Sequence, residues 1–248
     1  MYGLMLAISI LAGYLFIKHQ MLRRFALAEH VVGIFILLMI VGSLIGARLF
    51  ALIFEMNVPL AQIPGYLIRP QPAGVTFFGG FLLALLIFTC FVWYYRINFW
   101  EMGDILVVPT AFGLGLTRVG CFLAGCCWGH PTDLPWAVYF THPEAITPLK
   151  FIPCHPAQLY HSATNFAIFG LLLIVYYRWR SRPRGLIFVL FLTLYAVGRF
   201  VTEFFRGDAY RGFVWDGISS AQFISLFVFS AGLVGIMTLL RHKHRVLP

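Results

Sequence analysis

In the stretch LYAVGRFVTEFFRGD, Leu194 to Asp208, Arg199, Glu203 and Arg206 stand four and three residues apart, so a helix carries all three on one face. Guanidinium forks grip a phosphate bidentately, and a glutamate between two of them neutralises part of their charge. Arg48 and Arg118 stand in apolar runs of their own. An ionised side chain near a bilayer centre costs on the order of 3 kcal/mol, so each must face protein, water or a ligand. A structural ion pair with Glu203 accounts for Arg199 but leaves Arg48 and Arg118 unexplained. With Glu203 and Glu55 as the nearby acids, the set keeps an excess of positive charge, which suits an anionic lipid headgroup.

Other polar residues gather around this pattern. Gln158, His161 and Asn165 recur at three- and four-residue spacing, a polar stripe flanked by Thr164. Gly74, Thr76, Gly79 and Gly80 open another run, where glycine permits close approach of a ligand or of a neighbouring helix. The segment from Gly125 to Pro156 carries Cys126, Cys127, Cys154, His130, His142 and His155, with Cys121 just before it. The spacing in CFLAGCC lacks the paired C-x-x-C of structural zinc sites, so no metal and no cofactor is assigned. A disulfide from Cys126 or Cys127 to Cys154 is expected in an oxidising compartment. Cys90 reads as a small buried hydrophobe.

The elements that must position these groups are membrane spans. Hydrophobic residues make up 60% of the 248-residue chain and charged residues 11%, and the apolar residues form long runs, which excludes a soluble amphipathic fold. Seven runs reach the roughly 20 residues of a span, at about 2–17, 31–54, 74–95, 104–124, 157–177, 185–205 and 218–240. The expectation is an all-α, polytopic seven-transmembrane-helix bundle forming one integral-membrane domain over residues 1–248. The first run has no basic residue before it and no small-residue cleavage site before the Lys18–Arg24 cluster, so it reads as a retained span. Lys18, Arg23, Arg24, Arg96, Arg178, Arg180, Arg182, Arg184, Arg241, Lys243 and Arg245 fall on one side, whereas Arg69, Lys150, Arg206 and Arg211 fall on the other. That bias gives N-out, C-in. It also explains the net charge of +9 as topology and lipid anchoring, without nucleic acid. Arg48, Arg118 and Arg199 each lie six residues before the outer end of their span, about 9 Å along the helix. They share one depth in the outer half of the membrane, where the polar ends of spans 2 to 6 would wall one chamber.

With those residues in place, GLTRVGCFLAGCCWGHPT, HPAQLYHSATNF, GLIFVLFLTLYAVGRFVTEFFRGD, YGLMLAISILAG and GVTFFGG resemble, in order and separation, segments of the prolipoprotein diacylglyceryl transferases. The resemblance implies a seven-span enzyme of the bacterial cytoplasmic (inner) membrane with its site toward the external leaflet. Such an enzyme takes phosphatidylglycerol as donor, moves its diacylglyceryl group to the thiol of a lipobox cysteine in an exported precursor protein, and releases glycerol phosphate. Arg118 and Gly129 match the signature segment, Arg199 and Glu203 the pair of the sixth span, and Tyr2 the tyrosine opening the first. The candidate set is therefore His161, Arg118, Arg199 and Glu203 for catalysis. For substrate binding it is Arg48, Tyr2, Cys121, Gly129, Gln158, Tyr160, His155, Asn165 and Arg206.

Three positions depart from the resembled pattern. Phe78 replaces a histidine, Cys121 an asparagine, and His161 the glutamate that follows HPAQLY. Phe78 accepts no proton, yet the acceptor thiol must lose one, because the thiolate is the nucleophile. His161 is the candidate base and His155 the reserve; the structural alternatives are a histidine hydrogen-bonded within the bundle and a helix-entry residue fixed by Pro156. Two other readings stay open. One keeps the lipid site with a different acceptor, a lipid, a glycan or another exported molecule; the other is a non-catalytic binder or transporter of an anionic lipid or solute. Against transport and related functions stand the lack of an evident inverted repeat, of an ionisable path inward and of a lysine in the last span. No nucleotide motif or H-E-x-x-H helix is present.

Overall fold

The computed structural model describes residues 2–56, 58–59, 62–68, 76–207, 213–215 and 217–246. Arg69, Gly74, Asp208 and Arg211, and the side chain of Glu55, lie outside the described residues. The described residues are mostly helical: α1 (Tyr2–Phe25), α2 (Glu29–Phe50, continued by a π-helical turn Ala51–Glu55), α3 (Ile63–Ile68), α4 (Phe77–Tyr94), α5 (Phe99–Ala124), α6 (Ala157–Arg178), α7 (Leu186–Glu203) and α8 (Ser220–Val246). A short antiparallel ribbon, β1 (Phe213–Trp215) with β2 (Ile218–Ser219), precedes α8. Among the described residues, six helices are long and apolar enough to cross a membrane: Tyr2–Phe25, Glu29–Phe54, Phe99–Ala124, Ala157–Arg178, Leu186–Glu203 and Ser220–Arg241. Leu37, Leu44, Ile174 and Phe227 are exposed on these helices, as side chains facing lipid are.

Helix ends differ from the apolar runs that announce them. α1 continues past its apolar run through Lys18–Arg24, because lysine, arginine, leucine and methionine are strong helix formers and Arg23 and Arg24 suit a helix C-terminus. The helix α3 and the ribbon before α8 answer to no apolar period and were not expected.

The chain divides into two compact units, Met1–Ile17 with Gly103–Pro248, and Lys18–Met102. In the first, α7 starts at Gly185, in the left-handed region at φ 86°, where Asp104 reaches across from α5. Its carboxylate accepts the Gly185 N–H at 3.0 Å and the Phe188 N–H at 2.8 Å, so a helix N-terminus is capped from another helix. Ser162 Oγ donates to the Gly115 carbonyl at 2.9 Å, and the Phe112 ring meets Phe166 and Phe169, joining α5 to α6. At Gly198 a Cβ would strike Thr164, which sets α6 directly against α7.

In the second unit α2 packs on α4 through glycine. A Cβ at Gly46 would collide with the Gly79 carbonyl, and one at Gly79 with the Gly46 carbonyl. Gly79 and Gly80 therefore serve helix packing. Cys90 lies exposed on α4, which corrects the expectation of a buried position: α4 is apolar all round, so composition did not tell its packed face from its outer one.

Candidate active site

The C-terminus of α5 brings three thiols together. Gly125, at φ 70°, ends the helix: its N–H donates to the Phe122 carbonyl at 3.1 Å, and the Cys126 N–H donates to the Cys121 carbonyl at 3.1 Å. This is the double hydrogen bond of a Schellman cap, which turns the residue after the glycine back onto the last helical turn. Here those two residues are Cys126 and Cys121. Cys127, itself at φ 60°, completes the turn, and the sulfurs of Cys121, Cys126 and Cys127 all lie within 4.8 Å of one another. Hydrogen bonds from Cys121 and Cys126 pull the Cys127 thiol well below its ordinary pKa, with the Arg118 and Arg206 charges acting the same way and burial opposing them. The same exchange among the thiols pushes Cys126 up.

The expected disulfide to Cys154 is not formed; all five cysteines are free. Cys154 is fully buried, and its backbone pairs both ways with Val138, while its thiol points to the Val138 carbonyl. Backbone pairing therefore closes the loop after α5 where a covalent link was anticipated.

At the end of α7 lies a charged knot. Glu203 is 1% exposed and its Oε2 accepts from Arg199, with Arg206 Nη1 at 3.6 Å. Arg199 Nη1 also lies 3.3 Å from His161 Nε2, and Thr202 Oγ1 lies 3.1 Å from His161 Nδ1 and 3.0 Å from Nε2. Arginine can only donate, so Nε2 is the acceptor and Nδ1 carries the proton. Thr202 gives its own proton to the Gly198 carbonyl at 2.7 Å, which leaves its oxygen to receive that N–H. His161 thus ties Arg199 to α6.

Gly129 welds the loop after α5 to the end of α7. The His130 N–H donates to the Phe205 carbonyl at 3.0 Å, the Gly207 N–H to the Trp128 carbonyl at 3.0 Å, and the His155 N–H to the His130 carbonyl at 2.9 Å. A Cβ on Gly129 would collide with the His155 carbonyl and sit 2.6 Å from His155 Cβ and 2.7 Å from the Phe205 carbonyl. Beside it, His155 Nδ1 lies 3.2 Å from the Tyr160 hydroxyl, which accepts the Trp136 indole N–H at 2.8 Å. The Phe205 ring closes this aromatic group.

The polar stripe of α6 faces inward. Gln158, His161 and Asn165 are buried; Gln158 Nε2 donates to the Cys126 carbonyl and Asn165 Nδ2 to the His161 carbonyl, each at 2.7 Å. Those bonds fix which end of each amide is nitrogen, and they leave Gln158 Oε1 and Asn165 Oδ1 buried without a hydrogen-bond partner among the described residues. Arg118 lies one helical turn before Cys121. It acts electrostatically on His161 and Cys127, yet among the described residues it has no hydrogen bond and no ion pair. The Tyr2 ring packs on Gly120, where a Cβ would come within 2.8 Å, and it feels the Arg118 charge and the three thiols.

The first unit therefore assembles Tyr2, Arg118, Cys121, Gly129, His155, Gln158, Tyr160, His161, Asn165, Arg199, Glu203 and Arg206. Arg48 belongs to the second unit, where its Nη2 lies 3.4 Å from the Tyr66 carbonyl, and Phe78 also belongs there, exposed on α4. Sequence reasoning missed Thr202, Trp136 and Asp104. Asp104 was open to discovery as a lone acid in an apolar run; Thr202 and Trp136 carry no such signal.

Comparison with known proteins gives the family of the chain. A family model described as "Prolipoprotein diacylglyceryl transferase" matches residues 1–238. Proteins named phosphatidylglycerol–prolipoprotein diacylglyceryl transferase are similar over most of their length. One from Clostridium tetani (strain Massachusetts / E88) is 33% identical, covering 94% of this chain and 90% of the relative. One from Geobacter sulfurreducens is 31% identical, covering 98% and 91%. One from Prochlorococcus marinus (strain NATL2A) is 29% identical, covering 95% and 85%.

Proposed function

Because the chain belongs to the prolipoprotein diacylglyceryl transferase family, we propose that it moves the diacylglyceryl group of phosphatidylglycerol to the thiol of a lipobox cysteine in an exported precursor, releasing glycerol phosphate. The observation that carries this reading for the site is Arg118: a guanidinium in an apolar helix with no described anionic partner, beside a knot in which Arg199 and Arg206 share one carboxylate. A phosphodiester supplies the missing negative charge and accepts the fork of donors. The buried acceptors Gln158 Oε1 and Asn165 Oδ1 suit the two hydroxyls of a glycerol headgroup.

In this reading Arg118 and Arg199 grip the phosphate and stabilise the charge that develops on departing glycerol phosphate, with Glu203 and Arg206 setting Arg199's position. Tyr2, Gly129, His155, Tyr160 and Cys121 shape the surrounding wall. Both ring nitrogens of His161 are engaged, by Arg199 and Thr202, which supports a positioning role over proton abstraction. α4 is the seventh span, its 18 residues rising about 27 Å. The basic residues between and after spans favour an N-out, C-in chain of the bacterial inner membrane, with the site toward the external leaflet.

The test is transfer from phosphatidylglycerol to a lipobox peptide, read by mass spectrometry of the thioether product and of glycerol phosphate. Arg118→Ala and Arg199→Ala should each lower turnover by at least about 100-fold, the loss typical of a group that stabilises developing charge, with insertion intact. Full activity in both removes the phosphate site.

A further inference from the structure

The spacing that disqualifies CFLAGCC as a zinc knuckle is the spacing a helix C-cap requires. Gly125 folds Cys126 onto Cys121, and Cys127 joins them, so three sulfurs from one seven-residue stretch lie within 4.8 Å of one another without a disulfide between them. Zinc–sulfur bonds of about 2.3 Å place ligand sulfurs about 3.8–4.0 Å apart, so closing the set on an ion needs adjustments of an ångström or less. Thiolates select soft, closed-shell cations. Three protein ligands on an ion that prefers four also leave one position for an outside ligand, the arrangement of catalytic zinc.

Charge points the same way. Zn(II) with three thiolates carries one net negative charge. Arg118 stands a helical turn from Cys121 on α5. Arg199 and Arg206 flank Glu203 nearby.

We propose that Cys121, Cys126 and Cys127 bind one Zn(II) ion as three thiolates and that its fourth position takes the acceptor thiol. This rests on the transferase reading above. The acceptor sulfur displaces zinc-bound water and its proton passes to solvent, a deprotonation that does not call on His161. The sulfur lone pair then forms the C–S bond as the glycerol C–O bond breaks, both electrons of that bond leaving with glycerol phosphate. The neutral thioether is a weak ligand and departs from the ion, and water returns.

The experiment uses the full chain purified in detergent under reducing conditions, stripped with chelator and titrated with Zn(II). Metal stoichiometry and X-ray absorption sulfur counts are read with and without a lipobox-cysteine peptide or its serine analogue. One equivalent with three sulfurs is expected, rising to four with the cysteine peptide alone. Cys126→Ser and Cys127→Ser should each weaken binding more than about 100-fold, beyond the loss usual for an outer-shell change. Gly125→Ala, which strains the cap without touching a thiol, should weaken it too, and Cys154→Ser should leave it unchanged. Binding that is equal in wild type and in a triple serine variant overturns the site; a sulfur count that ignores the cysteine peptide overturns the acceptor position. Transfer by zinc-free enzyme at the loaded rate overturns the role of the ion and leaves the transferase standing. Conversely, wild type that takes zinc and the peptide sulfur yet releases no glycerol phosphate supports the zinc site and counts against the transferase.

Discussion

Glu203→Gln isolates the electrostatics of the site, because it removes one negative charge and keeps the volume. Glu203 is 1% exposed, and Arg199 and Arg206 beside it keep 15% and 13% of their side-chain surface. Breaking a buried pair by removing one member costs about 3–5 kcal/mol. The residual water access of both arginines argues for the low end, about 3 kcal/mol. At about 2–4 °C per kcal/mol for a chain of this length, the variant should unfold about 6–12 °C below wild type. The effect of ligand runs the other way. A phosphate group held by Arg118 and Arg199 restores the lost negative charge, so glycerol phosphate should raise the midpoint of the variant more than that of wild type. Tryptophan fluorescence during thermal unfolding in detergent, with and without glycerol phosphate, reads both quantities. A variant that melts with wild type and gains nothing extra from the anion refutes the charge accounting on which the site rests.

Gly129→Ala should cost about 3 kcal/mol, since its Cβ meets backbone on two sides, and should lose transfer; Gly65→Ala, which meets nothing within 4 Å, is the control in the same unfolding assay. His161→Phe should lower kcat without shifting the pH profile, and His161→Gln, which can still accept from Arg199, should recover part of it; a displaced acidic limb would reinstate His161 as the base. Burial pushes the Cys154 thiol above its ordinary pKa, so at pH 8 less of it is thiolate than in a free cysteine. Iodoacetamide should leave Cys154 unmodified in the folded protein and label it only after unfolding, which peptide mass spectrometry reads.

The parts of the fold that rest on composition were legible early. Apolar runs of span length announce α1, α2 and α5 to α8, and the i, i+4, i+7 spacing of Arg199, Glu203 and Arg206 announces one shared face. The stripe Gln158, His161, Asn165 turned inward because three polar groups in an apolar helix have nowhere else to find partners. What stayed hidden depends on contacts between segments. Thr202 is an ordinary hydroxyl until α6 brings His161 to it, and Trp136 becomes part of the site only through the Tyr160 hydroxyl. The cysteines show the limit most clearly: read as loop residues they suggest a disulfide to Cys154, whereas read as a helix end with glycine at the left-handed position they converge on one another.

The departures from the family pattern then fall into a relation that no single position reveals. The glutamate that the resemblance implies at position 161 would stand beside Arg199 as a second carboxylate of the knot, and the chain has an imidazole there instead. That exchange alone would leave the guanidinium groups with one negative charge fewer. The other exchange at the site, cysteine at position 121, falls one helical turn from Arg118 and meets Cys126 and Cys127, the one place in this unit where thiolates could gather into an anionic centre. If the two exchanges compensate, restoring glutamate at 161 should make the thiols dispensable. His161→Glu in a background of Cys121→Asn, Cys126→Ser and Cys127→Ser should then recover transfer that the cysteine changes alone abolish, measured as glycerol phosphate released per mole of enzyme. Recovery no greater in the combined variant than in the cysteine variant would mean that the exchanges at 161 and 121 are independent.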